Sequence, residues 1–231
     1  METTPIALAE IEKAEIRAGR RGATVHDRIL SDTLVRKRAQ LVVVDVQESF
    51  RETIDAFEGL ARRIVFLCRV SHLLGIPILA TEQYPNGLGT TAREVEAALV
   101  DAPHLEKRAF DATQEPRFLE ALAPGRDQVL VVGLEAHICV LQTTLGLLRT
   151  GRHVFLAVDT IGSQRANDAT WAITRLVAAG AVPLTAETAA FELCGTSAIA
   201  EFRELLQLVK AELATTRSGR LSALTGSPAE R

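Results

Sequence analysis

Three side chains able to do covalent chemistry stand where apolar runs end. Asp45 follows Leu41-Val42-Val43-Val44, Lys107 follows a weaker extended piece beginning at His104, and Cys139 lies just past Gln128-Val129-Leu130-Val131-Val132-Gly133. Cys139 sits in Gly133-Leu134-Glu135-Ala136-His137-Ile138-Cys139-Val140, which reads as a strand leading through a short turn into a helix. A sulfur at a helix N-terminus meets unpaired amides and the positive end of the helix dipole; both favour a thiolate, and a nearby Lys107 ammonium lowers the thiol pKa further. The same amides can hold an oxyanion. A carboxylate such as Asp45 beside the thiol can take its proton and later return one to a leaving amine. Taken singly, each residue has an ordinary role as a helix cap, a buried apolar thiol or a solvated amine. Their shared position at strand ends is the signal.

The elements that must bring them together alternate along the chain. Leu41–Val44 is a continuous β-branched run, suited to a strand covered on both faces. Apolar residues at Phe57, Leu60, Ile64, Leu67, Cys68 and Leu74 have helical spacing, and Gly75 stands where that helix stops. Further strands are expected over 77–80, 104–107, 128–133, 153–158 and 181–184, and further helices over 92–99, 116–122, 138–148 and 166–179. Such alternation gives right-handed crossovers and an α/β fold: a three-layer, Rossmann-like open parallel sheet of about six strands with helices on both faces. In such a sheet ligands bind at the carboxyl ends of the strands.

Composition bounds the reading without directing it. The 231 residues are 47% hydrophobic and 24% charged, so a disordered, collagen-like or disulfide-scaffold chain is a poor fit. A net charge of −3 supplies no global basic field for nucleic acid. Cys68, Cys139 and Cys194 are widely spaced and expected to be free thiols. Neither a secretory leader nor a membrane span is legible, so the expectation is a cytoplasmic protein without a membrane or nucleic-acid partner. Residues 1–38 read as an N-terminal extension with a locally basic stretch, 39–213 as a single domain, and 214–231 as a flexible tail of small, polar, aperiodic residues.

From about Ala39 to Lys210 the chain resembles the isochorismatase-like cysteine hydrolases, a family that includes nicotinamidases and N-carbamoylsarcosine amidases. The resemblance runs through Leu41-Val42-Val43-Val44-Asp45-Val46-Gln47, Thr81-Glu82-Gln83-Tyr84-Pro85-Asn86-Gly87-Leu88-Gly89, Glu106-Lys107-Arg108-Ala109-Phe110 and Gly133 to Thr143, with Asp159 to Ser163 and Gly180 to Thr185 beyond. It is most like the small isochorismatase-domain branch. The resemblance implies Cys139 as nucleophile, Asp45 as acid and base, and Lys107 as the cation between them. It also implies an oxyanion hole from the amides of Glu135 and Cys139, with a cis peptide between Leu134 and Glu135. Gln83, Tyr84, Phe110 and Gln47 become candidate substrate contacts, and a homo-oligomer acting on a small molecule is expected.

Nicotinamidases of this family carry a metal-binding Asp-x-His and a further His after the second strand. This chain has Glu82, Gln83 and Tyr84 there and no His between His72 and His104, so neither metal nor other cofactor is expected. The retained Cys139 points to acyl chemistry on an amide, carbamoyl or similar C–N bond. Nicotinamide or isochorismate hydrolysis, and a catalytically idle interaction or regulatory module, are the alternatives. Other motifs have plainer readings: Cys68 and His72 as core, Asp159 and Ser163 as a turn and helix cap after strand five, Cys194 as structural, and His137 as no partner for Cys139, since neighbours two apart in a turn diverge. The Asn86-Gly87-Leu88-Gly89 loop lacks the marks of a phosphate loop and is expected to line a pocket.

Overall fold

A computed structural model describes residues 33–225. Among them lies one sheet of six strands, ordered β3-β2-β1-β4-β5-β6, with every neighbouring pair parallel. The elements run β1 (Ala39–Val44), α1 (Phe57–Leu73), β2 (Ile78–Gln83), α2 (Arg93–Leu99), β3 (His104–Lys107), α3 (Pro116–Ala121), β4 (Gln128–Leu134), α4 (Leu141–Arg149), β5 (His153–Gly162), α5 (Ala166–Ala178), β6 (Val182–Leu184), α6 (Ala186–Cys194) and α7 (Phe202–Thr225). The strand order reverses direction at β1 and β4, the switch point where an open α/β sheet opens its crevice.

The strand pleat sorts side chains into two apolar layers. Leu41 and Val43 of β1 face one way, with Ile78, Ala80, Leu130, Val132 and Phe155, and pack on α1, α2, α6 and α7. Val42 and Val44 face the other way, with Leu79, Val129, Val131 and Leu156, and pack on α3, α4 and α5. Burial on both sides explains why β1 and β4 read as unbroken apolar runs. The fully buried Phe57, Phe118 and Phe155 anchor these layers.

Several expectations on extent need revision. β5 runs on to Gly162, so Asp159 lies inside the strand and not after it. The register between β4 and β5 shifts there: Val131 pairs with Leu156, but Gly133 pairs with Ile161. Asp159 nevertheless caps a helix, since its Oδ1 accepts a hydrogen bond from Ala186 N at the start of α6 at 2.8 Å. Helices α6 and α7 were not anticipated. The backbone also stays helical past 214 to Thr225, where irregular tail was expected; Ala, Leu and Arg among the polar residues there are good helix formers. Residues 226–231 and the basic extension over 1–32 lie outside the described residues.

The packed unit begins before Ala39. Leu34 is fully buried, Val35 N donates to Gln128 Oε1 at 2.7 Å, and Gln128 Nε2 donates to the Thr33 carbonyl at 2.9 Å. Two basic residues of the stretch are paired: Arg36 with Glu201, and Arg38 with Asp127, whose carboxyl is held down at about 2 by that guanidinium.

Gly133 is the tightest point of the sheet. Its φ is +126°, and a Cβ there would sit 2.1 Å from the Val44 carbonyl oxygen. Only glycine lets the end of β4 close on the end of β1, where Asp45 begins. Gly133→Ala is expected to lower the unfolding free energy by about 3 kcal/mol or more, from overpacking and backbone strain together. Gly75→Ala, at φ +64° with nothing within 4 Å of the added carbon, costs only the backbone term of about 1–2 kcal/mol. Urea denaturation of both variants checks the ranking.

Candidate active site

Asp45 leaves β1 with φ +50°, in the left-handed region that Asp tolerates better than most residues. That turn sets its carboxylate among three strand ends. Lys107 Nζ donates to Asp45 Oδ2 at 2.7 Å, and Thr81 Oγ1, from within β2, donates to Asp45 Oδ1 at 2.7 Å. Lys107 Nζ also donates to Gln83 Oε1 at 2.7 Å and to the Ala109 carbonyl at 3.3 Å. The Lys107 and Asp45 side chains are 0% and 1% exposed, so this is a dry ion pair whose remaining hydrogen-bonding capacity is met by neighbours.

Cys139 comes to the same place from the other side of the switch point. It lies in a five-residue π-helical turn, Ala136–Val140, that precedes α4, and not on the first turn of a regular α-helix. The peptide bond between Leu134 and Glu135, just ahead of this turn, is cis. The Cys139 thiol lies within electrostatic reach of both Asp45 and Lys107, whose charges act on it in opposite directions. Of the three expected groups, Asp45 and Lys107 are joined by a hydrogen bond, and the Cys139 thiol feels the charge of both.

The electrostatic balance differs from the sequence expectation. Burial pushes the Cys139 thiol up to about 12, and the Asp45 charge pushes in the same direction; the Lys107 ammonium pulls down but is outweighed. Burial and the carboxylate together therefore favour the neutral thiol over the thiolate. Helix-end and ammonium effects alone predict a thiolate, because they omit the desolvation that comes with 6% exposure.

The candidate substrate contacts divide into two groups. Gln47 is fully buried, and both ends of its amide are committed: Nε2 donates to the Gln83 and Gly89 carbonyls at 3.0 and 2.6 Å, and Oε1 accepts from Gln83 N at 2.8 Å. Gln83 bridges Lys107 and the Arg108 carbonyl, to which its Nε2 donates at 2.9 Å. These two glutamines hold the site's frame. Tyr84 and Phe110, 41% and 51% exposed, remain open to solvent. Sequence reasoning missed Thr81, which becomes a neighbour of Asp45 only through the parallel pairing of Val44 with Thr81.

The remaining polar residues stand apart from this chemistry. His137 Nδ1 is 2.9 Å from Ser163 Oγ and its Nε2 is 3.9 Å from Asp168, which ties the π turn to the start of α5. Cys68 is fully buried with its thiol raised to about 12 by desolvation, His72 meets the Ala98 carbonyl, and Cys194 is buried at the end of α6. Glu82 Oε1 accepts hydrogen bonds from Thr91 N and Oγ1 at 2.6 and 2.8 Å, so it serves the fold where a metal ligand stands in nicotinamidases. With Gln83 and Tyr84 beside it, and no group of three or more His, Cys, Asp or Glu suited to a metal among the described residues, this position does not fit a metal ion.

An open six-stranded parallel sheet covered by helices on both faces, with Asp45 and Lys107 paired at its carboxyl edge, defines a three-layer α/β protein. Comparison with known proteins is specific: the Isochorismatase domain family model matches residues 39–188. Isochorismatase domain-containing protein 2 of Macaca fascicularis is 36% identical over 172 residues, 74% of this chain and 82% of that protein. A structure titled MAR1 ribonuclease from Caenorhabditis elegans is 33% identical with a TM-score of 0.73, covering 77% of this chain and 92% of that one. The YcaC product of Escherichia coli, described as an octameric hydrolase of unknown specificity, has a TM-score of 0.71 at 22% identity, covering 82% and 97% of the two chains. The chain belongs to the isochorismatase family.

Alkylation reads the thiol directly. Cys139 is expected to react slowly with iodoacetamide at pH 7 and progressively faster as the pH rises toward 12, because only the thiolate attacks. Asp45→Asn removes a charge that raises the thiol pKa while leaving Lys107 to lower it, so labelling at pH 8 should accelerate several-fold. Mass mapping of the modified cysteine at each pH checks both.

Proposed function

We propose that the protein is a metal-independent cysteine hydrolase acting on a small amide, carbamoyl or similar C–N substrate through a thioester intermediate. The observation that supports this reading is the buried Lys107–Asp45 pair at the carboxyl edge of the sheet, with both charges acting on the neighbouring Cys139 thiol. Asp45 takes the thiol proton as the Cys139 sulfur bonds to the substrate carbonyl carbon. The oxygen of the tetrahedral intermediate is received by the amides of Glu135 and Cys139. As the C–N bond breaks, Asp45 returns the proton to the departing nitrogen. Water then attacks the thioester, giving a proton to Asp45; the C–S bond breaks, and that proton restores the thiol.

A base beside a neutral thiol makes the proton transfer part of each half-reaction, so one carboxylate serves both. Lys107 holds Asp45 at 2.7 Å and offsets the charge that develops on sulfur. The complete set of reactive groups speaks against a catalytically idle module. Glu82 and Gln83, engaged as they are, favour an amide other than nicotinamide. A cytoplasmic homo-oligomer belongs to the same proposal: the three free cysteines suit a reducing compartment, and the YcaC relative is octameric.

Cys139→Ala is expected to abolish hydrolysis, and Asp45→Asn to slow it by about 10²–10⁴-fold, in a mass-spectrometric screen of amides, carbamoyl compounds and nicotinamide. Circular dichroism establishes that the fold survives. Turnover by Cys139→Ala at the wild-type rate would overturn the assignment.

A further inference from the structure

Beside Lys107 stands a second cation that the proposed chemistry does not use. Arg108 follows the last residue of β3, and its guanidinium carbon lies 3.9 Å from the centroid of the Tyr84 ring. Tyr84 is the first residue past β2, with φ +40°, and its ring fills the space that a side chain at Gly87 would need, since a Cβ there would come within 2.6 Å of the ring. The platform is therefore built: Gly87 seats the ring, and the ring seats the guanidinium.

The backbone under Arg108 is fixed as well. Its carbonyl accepts from Gln83 Nε2 at 2.9 Å, and its N–H donates to Glu115 Oε1 at 3.2 Å, a carboxylate that also receives Ala109 N at 3.3 Å. The same Gln83 accepts from Lys107, so Arg108 and the buried ion pair share one positioning residue. Among the described residues no carboxylate forms an ion pair with the Arg108 guanidinium. A guanidinium held over a ring face and free of an ion pair retains N–H donors for a ligand, and its planar fork matches a carboxylate bidentately. Tyr84, under the guanidinium, and Phe110, two residues beyond Arg108 along the chain, are both exposed beyond the carboxyl ends of β2 and β3.

We infer that Arg108 is a specificity-determining residue that binds the carboxylate of an ω-carboxy amide, several bonds from the C–N bond presented to Cys139. This inference names the substrate class of the hydrolase proposed above and rests on that reading for its catalytic arm. The apolar spacer of such a molecule lies along Tyr84 and Phe110. Arg108 touches no reacting atom; it selects which amides enter and in which orientation.

Two measurements on the full-length protein test it. The first compares kcat/KM by ammonia release for succinamate, glutaramate and adipamate against neutral amides of matched length, butyramide among them, in wild type, Arg108→Gln and Arg108→Lys. The second compares the rate of Cys139 modification by maleimidopropionate and by N-ethylmaleimide in the same proteins, which needs no turnover. In wild type the anionic member of each pair should be favoured by about ten-fold, less at high salt. Arg108→Gln should bring the ratio close to one, and Arg108→Lys, which keeps charge but loses the planar stack, should fall between. The loss should appear chiefly in KM. An anionic-to-neutral ratio that is near one in wild type, or that Arg108→Gln leaves unchanged, overturns the Arg108 assignment. Charge preference in the maleimide pair that depends on Arg108, with no amide hydrolysed by wild type, supports the anion site and overturns the hydrolase reading instead.

Discussion

The structure turns on one buried ion pair. Taking an ammonium and a carboxylate out of water costs several kcal/mol for each ion, and their attraction offsets this only when geometry is good and the remaining donors and acceptors find partners. Lys107 and Asp45 meet at 2.7 Å, Thr81 completes the carboxylate, and Gln83 with the Ala109 carbonyl completes the ammonium. These partners come from β1, β2, β3 and the loop after it, so the pair is satisfied only when those strand ends are in register. Satisfying the ions and assembling the site are one requirement.

The same enclosure sets the character of the sulfur. Burial and the neighbouring carboxylate both push this thiol's pKa up, and the ammonium does not reverse the outcome. The glycine at the end of β4 belongs to this arrangement, because the close approach of Gly133 to Val44 carries the turn bearing Cys139 toward Asp45.

Much of this was legible in the sequence, for physical reasons. Strands covered on both faces appear as unbroken apolar runs, and the residues that end them lie where a parallel sheet places its ligands, which is why Asp45, Lys107 and Cys139 could be picked out together. What could not be read depends on relations across strands. Thr81 bonds Asp45 because β2 lies beside β1, and Gln47 is enclosed because it bonds the backbone of Gln83 and Gly89. The upward push on the thiol has a related origin: dipole and ammonium are local inferences, whereas desolvation depends on everything packed around the site. Helix α6 carried a local mark in Thr185, whose Oγ1 accepts from Thr188 N, but its short alanine-rich run has little amphipathic contrast. The continuation of β5 is obscured by the register shift beside Gly133.

The edge of family similarity and the edge of the folded body do not coincide. The family match opens at residue 39, yet Leu34 is sealed within the apolar layer under α1, and Gln128 is clasped by the backbone of Thr33 and Val35. A chain trimmed to the family boundary would leave a leucine-sized void and strip two partners from an enclosed amide at the first residue of β4. The segment ahead of the matched fold therefore acts as a keystone for the strand that leads to the turn bearing Cys139, although nothing in its composition distinguishes it from a linker.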